Sequence, residues 1–155
     1  MLVRQARHEE ADTLAVILRV AMWTAMPFLP QLHTPEEDRR FVREIVFSRC
    51  DVWVAELDGR VAGFLGVGNE LVEHLYVLPE HQGAGIGTAL LERAKELRPA
   101  GFRLWVFQRN TDARAFYEAR GLRLVELTDG AGNEEREPDA LYEWSGVSPE
   151  RAGAA

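Results

Sequence analysis

Residues 75–94 read LYVLPEHQGAGIGTALLERA, and this stretch decides the fold. Leu75, Tyr76 and Val77 have strand character, and Pro79 ends that strand. Gln82-Gly83-Ala84-Gly85-Ile86-Gly87-Thr88 follows as a glycine-rich turn. A helix opens from it: Ile86, Ala89, Leu90, Ala94 and Leu97 recur at helical spacing, and Pro99 stops it. Missing side chains let a ligand approach such a turn, and the helix start offers N–H groups and a partial positive charge suited to phosphate. The same turn can equally be a tight connection and nothing more. Spacing separates the phosphate-binding patterns. The P-loop needs a lysine after its glycines, and none follows here. The dinucleotide pattern needs a third glycine where this chain has Thr88 or Leu90, and an acid where it reads FRLWVFQ. The pattern [QR]-x-x-G-x-[GA] fits Gln82 to Gly87.

Working outward, DVWVAEL and RVAGFLGV flank Asp58-Gly59, a type I′ hairpin signal. Gly68-Asn69 makes a second turn, and ELVEHLYV is the third strand of an antiparallel meander over 52–77. Before it, Leu2 to Arg4 reads as a short strand. Residues from about Glu9 to Met22 read as a helix with Ala11, Leu14, Ala15 and Leu18 on one face. MPFLPQLH breaks that helix. Thr34-Pro35-Glu36-Glu37 starts a second one with a capping box, and Phe41, Val42, Ile45 and Val46 are its expected buried face. After the glycine-rich turn and its helix come the strand FRLWVF, a helix from Thr111 to Arg120 closed by Gly121, and the strands LRLVEL and ALYEW. The order β-α-α-β-β-β-α-β-α-β-β predicts a mixed α/β fold, an antiparallel meander followed by a βαβ crossover, with helices on both faces.

The chain has 155 residues, a length suited to one domain, expected over 1–146 with a flexible tail over 147–155. Hydrophobic residues are 46% and charged residues 28%, which excludes a disordered or collagenous chain. A formal net charge of -7 argues against nucleic-acid or anionic-membrane partners. MLVRQARHEE lacks a signal-peptide core, and no apolar run approaches the ~20 residues of a membrane span, so a cytoplasmic location is expected. Cys50 is the only cysteine, and His8, His33, His74 and His81 are scattered, so no metal site is expected.

A second motif, FQRNTDARAFYEARGL, follows the first. Together they make the chain resemble the GNAT superfamily of N-acetyltransferases over roughly residues 1–145. The second motif matches the N-x-x-A-x-x-F/L-Y-x-x-x-G-F/L signature at Asn110, Ala113, Phe116, Tyr117, Gly121 and Leu122. The resemblance implies acetyl-CoA as cosubstrate, its diphosphate on the backbone of Gln82, Gly83, Ala84, Gly85, Ile86, Gly87 and Thr88. It implies that Leu75, Tyr76 and Val77 pair with the pantetheine arm where ELVEHLYV and FRLWVFQ splay apart. Asn110 resembles the family asparagine that contacts the arm; a helix cap is its alternative role. Tyr117 resembles the general acid that protonates the leaving thiolate; a core aromatic beside Phe116 is the alternative. Many members carry Arg where this chain has Gln82. Some carry a glutamate base at what looks like Trp105.

The attacking amine must also lose a proton. Glu73 is the candidate general base, on the strand entering the arm's gap, and His74 is a rival. Strand alternation groups Glu73 with Leu75 and Val77, and His74 with Tyr76. Two stretches are candidates for the acceptor side: WTAMPFLPQLH, with Trp23, Phe28 and His33, and TDGAGNEEREPD, with Glu134 and Glu135. From Glu126 to Glu143 there are seven acids and one base, Arg136, a field that would attract a cationic amine. A solvated face or a subunit contact are the alternatives, and the chain is expected to be a monomer or homodimer. The reading is direct acetyl transfer to a primary amine of a small molecule or peptide. The alternative is a non-catalytic acyl-CoA-binding sensor of the same fold.

Overall fold

Asp58 and Gly59 both adopt positive φ, 53° and 77°, which is the backbone of a type I′ turn. They join β2 (Asp51–Leu57) to β3 (Arg60–Val67) in a computed structural model that describes residues 1–147. With β1 (Leu2–Gln5) and β4 (Val72–Val77) these strands form an antiparallel sheet in the order β1-β2-β3-β4. Arg4 fastens β1: its guanidinium meets Glu56 at 2.7 and 3.0 Å and Glu10 at 2.7 and 2.9 Å. The Arg4 pairing pulls the Glu10 carboxyl down to about 2.

A short 3-10 turn, His8–Glu10, leads into α1 (Ala11–Ala25). Ala11, Leu14, Ala15 and Leu18 are buried as their spacing predicts, joined by Ile17. They pack with Val52, Val54 and Phe64 of the sheet. Thr34 caps α2 (Pro35–Phe41): its Oγ1 accepts the Glu37 N–H at 3.1 Å, and Glu37 Oε1 accepts the Thr34 N–H at 3.0 Å. The helix then widens into a π turn, Val42–Val46, before α3 (Phe47–Arg49). That turn changes the phase of the buried face. Val42 and Val46 are buried as expected, but Phe41 and Ile45 are each 39% exposed.

Helix α4 (Ile86–Leu97) covers the other face of the sheet. A side chain at Gly63 would sit 3.3 Å from an Ile86 methyl, and the Arg93 guanidinium stacks on Trp53 at 4.2 Å. Trp53 lies between Val52 and Val54 along β2, so it points away from the α1 core.

Met1–Ala94 forms one compact unit and the chain from Lys95 forms a second. The second sheet has the order β5-β7-β6, from β5 (Phe102–Phe107), β6 (Arg123–Leu127) and β7 (Asp139–Trp144), with α5 (Thr111–Ala119) between β5 and β6. Phe102, Leu104 and Val106 are buried along β5 while Arg103 and Trp105 face outward. Tyr142 is fully buried; its hydroxyl donates to Glu118 Oε1 at 2.7 Å and accepts from Arg114 Nε at 3.0 Å, which fastens α5 to β7. The fold is α/β as the element order predicts. Its described ladders are all antiparallel, and β4 and β5 are edge strands of their own sheets.

Of the tail expected over 147–155, Val147 donates its N–H to Pro99 O at 2.9 Å, and 148–155 lie outside the described residues. Among the described residues no helix is long and apolar enough to cross a membrane.

Candidate active site

The glycine-rich turn is a backbone device. Gly83 and Gly85 have φ of +85° and +83°, a region that side chains disfavour. A Cβ built at either position meets nothing within 4 Å, so space opens directly over the backbone. Ala89 N–H closes onto Gly85 O at 3.0 Å, so the amides of Gly85, Ile86 and Gly87 precede the first such turn of α4. Gln82, Gly83, Ala84 and Gly85 are exposed, whereas the Ile86 side chain is buried, so only its backbone can face a ligand. Gly87 and Thr88 are half-buried in the first turn of α4. Gln82 folds back, its Nε2 donating to Val77 O at 3.3 Å. This ties the turn to the strand that carries Leu75, Tyr76 and Val77, each of them half-buried on the edge strand β4. A cradle with no Cβ at two positions, at a helix N-terminus, fits a diphosphate.

Glu73 departs from simple alternation. Gly66 pairs with His74 and Val67 with Val72, so Glu73 is the extra residue of a β-bulge. The bulge turns its carboxylate to Cys50, whose Sγ–H donates to Glu73 Oε2 at 2.9 Å. Cys50 packs against the α1-side core, so the expected grouping of Glu73 with Leu75 and Val77 on one face gives way. Gly68 leaves room for this: a Cβ there would come within 3.1 Å of Glu73 Oε2. Burial and then Glu73 push the Cys50 thiol up to about 12. From sequence, neither Cys50 nor Gly68 had a role beside Glu73: Cys50 stood there only as a lone cysteine and Gly68 only as a turn residue with Asn69. His74, the rival base, lies among Phe41, Phe64 and Tyr76, with its Nδ1 buried and unpaired among the described residues. Burial lowers it to about 4.

In the second unit α5 carries both motif residues. Asn110 is its N-cap, with Oδ1 accepting the Ala113 N–H at 3.3 Å, so the helix-cap role is realised. Tyr117 is 9% exposed, its ring against Phe116 and Tyr142 at 5.4 and 6.4 Å.

The acidic connection from Thr128 to Asp139 is built rather than loose. Asn133 Nδ2 donates to Glu137 O at 2.7 Å and Asp139 Oδ2 at 3.1 Å, and Asn133 Oδ1 accepts the Glu137 N–H at 3.2 Å. Thr128 Oγ1 bonds Asp139 Oδ1, and Arg109 grips Glu137 at 2.6 and 2.8 Å. The connection and the outward face of β5 enclose a cleft of about 500 Å³. Trp105 and Phe107 form its aromatic walls, and Glu135 and Asp139 its acids. Asp139 is spent on the network. Glu135 is half-buried and has no hydrogen-bond or ion-pair partner among the described residues. Glu134 is exposed and is not part of the lining. Sequence reasoning missed Trp105, Phe107 and Asp139 here, because the pairing of β5 with β7 brings them together.

The first acceptor stretch is organised by Arg19, which sequence also passed over. Its guanidinium stacks on Trp23 at 4.1 Å, donates to His33 O at 3.1 Å and pairs with Asp38 at 2.7 Å. Trp23 is half-buried, while Phe28 and His33 are exposed in the connection from α1 to α2.

Comparison with known proteins gives the family. A sequence profile of the acetyltransferase (GNAT) domain matches residues 48–122. The chain is 31% identical over 127 residues to the peptidyl-lysine N-acetyltransferase YjaB of Salmonella typhimurium, covering 79% of this chain and 83% of that protein. It is 31% identical over 147 residues to an uncharacterized N-acetyltransferase of Archaeoglobus fulgidus, covering 84% and 99%. Among solved structures, apo YjaB of Escherichia coli matches with a TM-score of 0.77 at 23% identity, covering 94% of this chain and 98% of that one. The PaiA N-acetyltransferase of Thermoplasma acidophilum, solved with coenzyme A, matches with a TM-score of 0.71 at 22% identity, covering 93% and 98%. The chain belongs to the GNAT superfamily of N-acetyltransferases. It is an enzyme that uses acetyl-CoA as acetyl donor.

Proposed function

We propose that the enzyme transfers the acetyl group directly to the side-chain amine of a lysine in a peptide. The observation that carries the acceptor half is the cleft of the second unit. Trp105 and Phe107 offer aromatic walls to an alkyl chain, and Glu135 is a carboxylate with no partner among the described residues. That combination suits a cation on a flexible apolar stem. The relatives named as peptidyl-lysine N-acetyltransferases support a peptide over a free amine.

In this reading the diphosphate of acetyl-CoA lies on the backbone of residues 82–88, and the pantetheine amides extend the edge of β4 at Leu75, Tyr76 and Val77. Asn110 caps α5 with Oδ1 and offers Nδ2 to the arm. Glu73 takes the proton of the acceptor amine, directly or through water. The amine nitrogen attacks the thioester carbonyl carbon, the C–S bond breaks, Tyr117 gives its hydroxyl proton to the departing sulfur, and the second proton of the nitrogen restores the Tyr117 hydroxyl through water. Direct transfer is favoured because the Cys50 thiol, pushed up to about 12, is held protonated and is a poor acyl carrier. Trp23, Phe28 and His33 in the first unit, and the exposed Glu134 in the second, are each assigned a role in acceptor binding.

Release of the CoA thiol tests this against an acceptor panel of lysine-containing peptides, the same peptides with blocked lysines, peptide N-termini, polyamines and aminoglycosides. Release that requires an unblocked peptide lysine is expected. Release that requires only a free small amine would overturn the peptide reading and leave acetyl transfer standing.

A further inference from the structure

We infer that Cys50 is a positioning residue for Glu73, holding one carboxylate oxygen so that the other stays aimed and ready to accept a proton. This rests on the reading of Glu73 as general base.

An extra residue in a strand has no cross-strand partner to fix it, so something else must fix the side chain. Cys50 Sγ–H does this at Glu73 Oε2, 2.9 Å away. Glu73 Oε1 makes no hydrogen bond among the described residues, so one oxygen is held and one is open. The bond reaches 23 positions along the chain, from the residue before β2 to β4, across the end of β3. Gly68 keeps that path clear.

The donor is also stable. The ionisable groups acting on the pair are Arg49, Asp51 and His74. Arg49 favours the thiolate, whereas Glu73, Asp51 and burial oppose it, and the outcome is a thiol pushed up to about 12. The neighbouring His74 is held neutral by burial at working pH. Cys50 therefore donates over the whole working range, and no proton leaves it during turnover. Donation to the charged form of a carboxylate favours that form. Loss of the donor leaves the carboxylate less fixed in direction.

The test is the split of kcat against acceptor KM for Cys50→Ala, Cys50→Ser and Glu73→Gln, with acetyl-CoA binding measured alongside. Cys50→Ala is expected to lower kcat about fivefold at neutral pH, with the acceptor KM little changed. Acetyl-CoA affinity stays unchanged. Cys50→Ser keeps a donor and returns kcat toward the wild-type value. If Cys50→Ala does not fold, Cys50→Val fills the space without a donor and carries the same expectation. A donor-free variant whose kcat and KM match wild type, beside a Glu73→Gln enzyme that has lost turnover, overturns the role of Cys50 and leaves Glu73 as the base. Full turnover by Glu73→Gln overturns the base assignment itself, and the inference falls with it. An acetylated Cys50 trapped on the wild-type enzyme would replace positioning by covalent transfer and also overturn it.

Discussion

The turn at 82–88 and the connection at 128–139 both prepare a surface for a ligand, and they do so by opposite means. The first works by leaving side chains out: Gly83 and Gly85 hold positive φ over open space, and the helix behind them supplies amides. The second works by side chains that hold one another: Asn133, Thr128, Asp139 and Glu137 bond into a frame, and Glu135 is left facing the cleft. A backbone device is sensitive to any added atom and tolerant of its neighbours. A side-chain device fails by degrees, one bond at a time, and is tuned by salt.

The comparison breaks most sharply at Gly85. Gly85→Val adds atoms into space that only a ligand would fill, so acetyl-CoA affinity should fall by about 100-fold, the loss of two charge-assisted hydrogen bonds. The positive φ adds a strain of about 1–2 kcal/mol, visible as a lower Tm in a protein that still folds. Calorimetric titration with acetyl-CoA that finds undiminished affinity would remove the turn from the cofactor site. Tyr117→Phe is next. It deletes one hydroxyl and little volume, so kcat should fall by about 100-fold with acetyl-CoA affinity unchanged. A wild-type kcat at saturating substrates returns Tyr117 to a purely packing role.

Smaller effects belong to the acidic connection. Trp105→Ala should raise the KM for a cationic acceptor about tenfold, and Glu135→Gln about threefold, in steady-state assays at low salt. Glu134→Gln should change it less than Glu135→Gln, because Glu134 lies outside the cleft lining. The Glu135 effect should shrink as ionic strength rises, and equal responses from the two glutamates would reduce the connection to a diffuse field.

His74→Phe should have the least effect on turnover, leaving kcat within about twofold. It should change the dependence of stability on pH instead. Burial holds the imidazole near 4, below the ~6.5 of an unfolded chain. Between those values the unfolded state binds the extra proton, so wild-type stability falls as pH drops from about 6.5 to 4. Thermal melts of His74→Phe should show a flatter curve over that window. An equally steep curve would mean that the imidazole titrates as it does when exposed.

The legibility of these regions differs for one reason. The hairpin at Asp58-Gly59, the capping box at Thr34 and Glu37, and the glycines of the turn are each satisfied within a few residues, so local sequence carries the whole instruction. The π turn at Val42–Val46 shows where local periodicity fails: the face expected to bury Phe41 and Ile45 leaves both partly exposed, because the helix widens where it packs. Glu73 could be named from its place on a strand, but its direction could not, since that depends on a one-residue mismatch between β3 and β4.

By itself, then, the sequence determined the order of elements, the backbone cradle and the family, because these depend on short-range spacing, on turn chemistry and on the two motifs. Tertiary structure alone decided that Cys50 meets Glu73, that Arg19 gathers Trp23 and His33, and that Trp105 shares a cleft with Glu135. Apart from the Arg19–Trp23 stack, which lies within one helix, these contacts join residues 14 or more positions apart, and strand register or helix packing, which no local pattern encodes, brings them within reach.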